Sequence, residues 1–222
     1  MELYPIAHIE CGLKNKFGVP RQSGLVEALT ARVVFEPQFR NRDALRGVEG
    51  FSHLWLIWEF SEARRPGGGW SPTVRPPRLG GNERMGVFAT RSPFRPNPLG
   101  LSCVRLLEVT EAGELMVGGA DLMDGTPIYD IKPYLPYADC RPEATGGFAA
   151  KPPEPLPVLL PEPLLPPDFP RKTLPALRGV LALDPRPRYH DDAERIYGFD
   201  FEGWNVRFRV LEGRVELVSL EH

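Results

Sequence analysis

The sequence predicts a mainly β fold, with one sheet curled into a small barrel and a small α+β unit after it. Three observations predict this. Roughly six short strand-like segments lie between Leu3 and Met123, with little helical periodicity between them. A proline-dense stretch then interrupts the chain. Beyond it, WNVRFRV alternates strictly, with Trp204, Val206, Phe208 and Val210 on one face and Asn205, Arg207 and Arg209 on the other. Closing a sheet of short strands into a barrel removes its exposed edges.

The elements follow in order. Leu3 to Cys11 alternates as a strand and is followed by a Lys/Gly/Pro-rich loop, KNKFGVPRQSG. Ala31 to Glu36 is a β-branched strand. Asp43 opens a short helical turn closed by Gly50. Ser52 to Phe60 is apolar on both faces and is expected as a central strand. Arg64 to Asn82 reads as loop, and Met85–Thr90, Leu101–Val109 and Glu114–Met123 as further strands. From Lys151 to Pro175, ten of 25 residues are proline, which predicts an extended, semi-rigid connector. Leu174 to Leu183 is expected as a short helix, with strands at Arg195–Phe201, Trp204–Leu211 and Arg214–Leu220. The expected division is a barrel domain at 1–145, a linker at 146–173 and a C-terminal domain at 174–222. The last is too small to stand alone and should pack on the barrel or on a partner subunit.

Composition narrows the function classes. No apolar run reaches the length of about 18 residues that reads as a membrane span, and no secretory signal is visible. Cys11, Cys103 and Cys140 are few, odd in number and widely spaced, which fits a reducing cytoplasm and no metal site. The chain carries a net charge of −2, but Arg64 to Arg105 holds eight arginines against one acid, Glu83, a local +7. That concentration reads either as an anion-binding surface or as a solvated arginine face. The glycine-rich phosphate cradles, the H-E-x-x-H zinc motif and the nucleophile elbow are all missing.

Two constellations carry candidate chemistry. TRSPFRPNPLGLS, from Thr90 to Ser102, fixes φ at Pro93, Pro96 and Pro98, so Arg91, Arg95 and Asn97 stand on a stiff frame. Gly100 permits a sharp turn or close ligand approach. A rigid Arg/Asn loop suits a planar hydrogen-bonding ligand, but also a plain proline corner. DLMDGTPIYDIKPYLPY, from Asp121 to Tyr137, brings Asp121, Asp124 and Asp130 with Thr126 and Lys132, which reads equally as turn chemistry and as a site.

VPRQ at 19–22, FSHLW at 51–55, GGWSPTVRPPRLGGN at 68–82, MGVFATRSPFRPNPLGLS at 85–102 and DGTPIYDIKPYLPYAD at 124–139 resemble the TsaA-like, or TrmO-type, methyltransferases. DPRPRYH at 184–190 and YGFDFEGWNVRFRV at 197–210 resemble that family's C-terminal domain. The resemblance implies an enzyme that uses S-adenosyl-L-methionine to methylate N6 of threonylcarbamoyladenosine, beside the anticodon of tRNA at position 37. It also implies a β-barrel unrelated to the Rossmann methyltransferases, working as a homodimer with the cofactor near the subunit interface.

Carried over by position, the resemblance implies cofactor contacts at Pro20, Arg21, Gln22, Ser61, Glu62, Arg91, Leu101, Gly118, Gly119, Ala120, Asp121 and Thr126. Asp121, Asp124, Asp130 and Lys132 are the candidates for acid–base help or charge stabilisation, with Arg95 a further stabiliser. Arg95, Asn97, Arg207 and Arg209 are candidate RNA contacts, and Phe94, Tyr134 and Tyr137 are rings available for stacking. A non-catalytic nucleotide- or RNA-binding module, or a different methyl acceptor, stays open on sequence alone.

Overall fold

The structure, a computed structural model, describes residues 2–63, 70–79, 82–186, 192 and 194–222, with Ala63 and Arg78 described by their backbone alone. Arg64 and Arg65 of the basic block, and part of DPRPRYH, lie outside the described residues.

The strands are β1 (Ala7–Glu10), β2 (Thr30–Phe35), β3 (His53–Glu59), β4 (Thr73–Val74), β5 (Met85–Gly86), β6 (Leu99–Val109), β7 (Leu115–Gly118), β8 (Pro127–Pro133), β9 (Val158–Leu159), β10 (Tyr197–Phe201), β11 (Trp204–Leu211) and β12 (Arg214–Glu221). The helices are α1 (Pro136–Asp139) and α2 (Leu174–Ala182), with several single 3-10 turns. Six strands form a closed sheet in the order β1-β2-β7-β6-β3-β8, with β8 pairing back onto β1. Alternation explains its interior: Ile9, Val33, Leu54, Leu56, Val104, Leu115, Val117 and Ile128 point inward and are almost fully buried. Each such side chain contributes roughly 1.5–3 kcal/mol on burial. β3 is paired by β6 and β8, as every strand of a closed sheet has two neighbours, and its outward residues Trp55 and Ile57 are half-buried.

Three predicted strands shorten. The first begins only at Ala7. Met85–Thr90 gives a two-residue strand and then a 3-10 turn at Val87–Ala89. Glu114–Met123 stops at Gly118, because Gly119 takes φ +74 and leaves the sheet.

The C-terminal sheet runs β10-β11-β12-β9. α2 covers it with Ala176, Leu177, Val180 and Leu181, a one-sided apolar stripe. The expected connector does more than connect. Leu165 and Phe169 are buried in this C-terminal core, and β9 adds a parallel edge strand to β12. Pro157 and Pro161 bracket β9 and lack N–H groups, which limits the strand to two residues and blunts the edge. The same core includes Leu13, Val26 and Leu29 from the loop between β1 and β2, so the C-terminal unit rests on the loop that carries Pro20–Gln22. Among the described residues no helix is long and apolar enough to cross a membrane.

Candidate functional site

The stretch 90–99 is braced from within. The N–H of Arg95 donates to the Pro93 carbonyl (2.9 Å) and that of Leu99 to the Asn97 carbonyl (2.8 Å), two consecutive tight turns. The Phe60 N–H donates to the Pro98 carbonyl (2.8 Å), tying the loop to the end of β3. Arg95 Nη1 donates to the carbonyls of Thr90 (3.1 Å) and Ser92 (3.4 Å). Arg95 is half-buried, and its Nη1 helps to hold its own loop together. Asn97 is exposed. Gly100 admits no ligand either. It lies in β6, and a Cβ there would fall 2.2 Å from the Trp58 ring, so glycine is required by packing.

Arg91 behaves differently. It is exposed, and its guanidinium donates to the Gln22 side-chain oxygen, joining the SPFRPN loop to the PRQ loop. Pro20 is buried, and Gln22 also donates to the Arg21 carbonyl. One step away, the Gly24 N–H donates to the Gly119 carbonyl (2.8 Å) and the Gly119 N–H to the Leu29 carbonyl (2.8 Å). At Gly119 the backbone combines φ +74 with contact against Gly24, where a Cβ would come within 3.3 Å of its backbone. Gly118 and Ala120 flank it and are buried.

Asp121 closes this corner. Its carboxylate accepts from the Ser102 hydroxyl and from the backbone N–H groups of Ser23 and of Asp121 itself, within reach of the Arg91 charge. Trp58 Nε1–H donates to Ser102 Oγ at 2.9 Å. An indole nitrogen only donates, so Ser102 accepts there and its one proton goes to Asp121. Burial pushes the Asp121 carboxyl above its ordinary value, and the donors and Arg91 offset only part of that.

The other two carboxylates stand apart from it. Asp124 accepts from the Cys11 N–H (2.9 Å) and from Lys14 Nζ (2.9 Å). Burial raises its pKa, but Lys14 and the Cys11 N–H outweigh that and hold it below the ordinary value. Met123 to Thr126 is a hydrogen-bonded turn with Gly125 at φ +75, and the buried Thr126 hydroxyl donates to the Met123 carbonyl (2.6 Å). Asp130 pairs with Lys132 on β8 at 2.9 Å, the lysine exposed and the aspartate partly so. The three carboxylates thus have three separate sets of partners, and the cluster expected from sequence divides. Burial likewise pushes the Cys11 thiol up to about 11, which removes it as a nucleophile.

Ser61 and Glu62 form an exposed turn beyond β3. Beside it, Glu59 is buried and accepts from the Tyr129 hydroxyl (2.6 Å). Leu101 is 55% exposed on the outward face of β6. In the C-terminal sheet, Arg209 Nε and Nη2 both donate to Glu216 across the strand pair (3.0 and 2.9 Å), and Arg214 donates to the same carboxylate. The Arg209 hydrogen bonds, with Arg214 adding and burial opposing, hold Glu216 below its ordinary pKa. Arg209 is therefore a cross-strand ion pair, whereas Arg207 stands exposed. Of the expected stacking rings, Tyr134 packs against Trp55 and His53, while Phe94 and Tyr137 are exposed.

A cleft of about 610 Å³ lies elsewhere, between β1, β2 and the turn at Glu202. Several of its polar side chains have partners: His8 lies against Glu10 and Glu36, Arg32 pairs with Glu10 and Glu114, and Lys14 with Asp124. It contains neither Arg91 nor Asp121.

Residues 8–140 match the tRNA-methyltransferase O N-terminal domain, and residues 170–222 match the TrmO C-terminal domain. The chain belongs to the TrmO family. It is 45% identical to the tRNA (adenine(37)-N6)-methyltransferase of Escherichia coli, over 97% of this chain and 96% of that one. It is 50% identical to a putative S-adenosylmethionine-dependent methyltransferase, RcsF, of Pseudomonas aeruginosa, over 67% of this chain and 61% of that one. A crystal structure of TrmO from Pseudomonas aeruginosa superimposes with a TM-score of 0.83 at 32% identity, covering 100% of this chain and 98% of that one. The TrmO likeness therefore spans the barrel, the proline-rich stretch and the C-terminal sheet together.

Sequence reasoning missed Ser102 and Trp58 as the supports of Asp121, and Tyr129 as the partner of Glu59. It also missed an exposed aromatic pair, Trp70 and Phe88, whose ring centroids lie 5.9 Å apart.

Proposed function

We propose that this chain is a tRNA (adenine-N6)-methyltransferase that transfers a methyl group from S-adenosyl-L-methionine to N6 of threonylcarbamoyladenosine at position 37. The family membership and the 45% identity to the Escherichia coli enzyme across almost the whole chain carry this reading.

The residues around Arg91 fit the cofactor. Arg91 with Gln22 suits the cofactor's carboxylate. The tight backbone from Gly118 to Ala120 would hold the corner in shape, and exposed Leu101 offers an apolar contact. Ser61 and Glu62 stand at the rim. When bound, S-adenosylmethionine supplies an electrophilic methyl group on a sulfonium, and positioning of the acceptor then contributes much of the rate.

The acceptor nitrogen is attached to a carbonyl, so its lone pair is delocalised and its N–H is more acidic than that of adenine. A proton acceptor helps such a nitrogen attack. Of the candidate carboxylates, Asp121 has the properties of a base, because its raised pKa gives it affinity for a proton. Asp124 and Asp130 are held by Lys14 and Lys132.

The barrel segment, 1–145, would carry the transfer, in a sheet without the glycine-rich turn of Rossmann enzymes. The unit at 174–222 would carry RNA-binding surface at Arg207, with 146–173 joining the two. The enzyme would act in the cytoplasm as a homodimer. Leu99 and Leu101, exposed on the outward face of β6, support that reading as apolar surface for a second copy.

The test is mass spectrometry of tRNA nucleosides from cells lacking the protein. Loss of one methyl from threonylcarbamoyladenosine, restored by the wild-type chain and not by Arg91→Ala, is expected. An unchanged nucleoside profile would sink the assignment.

A further inference from the structure

The small β4–β5 ribbon is a place where exposed rings and exposed arginines meet. β4 and β5 pair Thr73 with Gly86 and Val74 with Met85. Trp70 leads into this ribbon and Phe88 follows it, so both rings stand at the same end, 5.9 Å apart and inclined at 33°. Trp70 is 48% exposed and Phe88 73%. Phe88 is held there, not merely loose. Its neighbour Val87 is buried, and the Val87 N–H donates to the Pro72 carbonyl (2.9 Å), which fixes the turn and turns the Phe88 ring outward. Burying such rings is worth kilocalories, so leaving two of them in water on a braced turn is costly without a partner.

The charge around the rings states which partner. At the far end of the ribbon, Arg75 and Arg84 are exposed, and Arg84 Nη1 is aimed by the Thr73 hydroxyl (2.9 Å). Beyond the near end, three residues after Phe88, stands Arg91 of the cofactor corner. Glu83 is the one acid between Arg75 and Arg91. Aromatic faces interleaved with arginines match single-stranded nucleic acid, whose bases stack and whose phosphates pair. A second copy of this chain would bring like charge against like.

We propose that the Trp70–Phe88 pair is a stacking platform for a base of the anticodon loop next to the methylated adenosine, with Arg75 and Arg84 on the adjoining phosphates. This rests on the tRNA methyltransferase reading. In that reading Arg91 belongs to the cofactor corner, and Phe88 lies three residues before it in the chain.

The experiment uses the full-length protein and a threonylcarbamoyl-modified anticodon stem–loop carrying 2-aminopurine in the loop beside the target. Wild-type protein should quench the 2-aminopurine on binding. Trp70→Ala and Phe88→Ala should each weaken binding by about tenfold or more and abolish the quench. Phe88→Tyr should keep both, which guards against misfolding. S-adenosylmethionine affinity and oligomeric state should not change in any variant. Unchanged RNA affinity in both alanine variants overturns the platform. So does a change of oligomeric state, which would make this face a contact between copies. If wild-type protein does not bind the stem–loop at all, the tRNA reading fails instead.

Discussion

Asp121 and Asp124 sit at the two ends of one short segment, and the structure treats them in opposite ways. Asp121 is turned inward onto Ser102 and the Ser23 N–H, and burial raises its pKa. Asp124 is turned onto Lys14 and the Cys11 N–H, and its pKa falls. Burial disfavours the charged form of the first carboxylate, whereas its partners favour that of the second. A carboxyl pKa raised by burial is common at reacting centres, whereas the second kind is ordinary structural pairing. Swapping or removing each group should therefore separate function from stability.

The largest effect is expected at Asp121. Asp121→Asn keeps the shape and removes the proton acceptor, and single-turnover methylation with saturating cofactor should fall by about 10²- to 10⁴-fold. Stability should move the other way. A carboxyl whose folded pKa is raised contributes stability below its unfolded pKa and loses it as pH rises through the folded value. Wild-type protein should thus lose stability relative to Asp121→Asn as pH climbs through and above the carboxylate range. Thermal melts across pH, set beside the rates, check both halves. A variant that is fully active excludes Asp121 as the base.

Ser102→Ala comes next and sharpens the same comparison. It takes away the one side-chain hydroxyl proton given to Asp121 and leaves the Trp58 N–H without its acceptor. The turnover should drop about two- to tenfold, the rate equivalent of one hydrogen bond. The acidic limb of the pH–rate profile should move to higher pH, because Asp121 loses a donor that favours its charged form. An orphaned buried N–H costs about 1–3 kcal/mol of stability. A rate loss with an unmoved pH profile would mean that Ser102 only packs.

How much of this was legible depends on which forces set each feature. β3, α2 and the β10–β12 meander follow from apolar period and turn chemistry, so Ser52–Phe60, Leu174–Leu183 and WNVRFRV declared themselves. The strand ends did not, because Gly119 leaves the sheet for reasons that lie in Gly24, far away in sequence. The proline-rich stretch read as a connector because prolines suppress hydrogen-bond ladders, yet Leu165 and Phe169 among them still bury apolar surface. In the candidate site, Arg91 and Asp121 were nameable from family-like motifs. The role of Arg95 was not, since a guanidinium donating to Thr90 and Ser92 carbonyls leaves no mark in sequence. Ser102 had a signal that was overlooked. Strand alternation along β6 sets it on the inward face with Val104, where a hydroxyl must find a partner.

The smallest effect is expected at Asp124, and it isolates the structural member of the pair. Asp124→Ala removes the Lys14 ion pair and an acceptor for the Cys11 N–H. Lys14 is 60% exposed, so solvent screens the ion pair and most of the loss comes from the backbone hydrogen bond, about 1 kcal/mol in all. Its pH dependence has the opposite sign to that of Asp121. A carboxyl with a lowered folded pKa contributes stability above its unfolded pKa, near about 4, and loses it as pH falls through the folded value. The gap between wild type and Asp124→Ala in chemical denaturation should be full at neutral pH and close in acid. Methyl transfer should stay within about twofold of wild type, since a 1.4 kcal/mol barrier change would already be tenfold. A catalytic loss comparable with that of Asp121→Asn would return Asp124 to the reacting centre and undo the distinction between the two carboxylates.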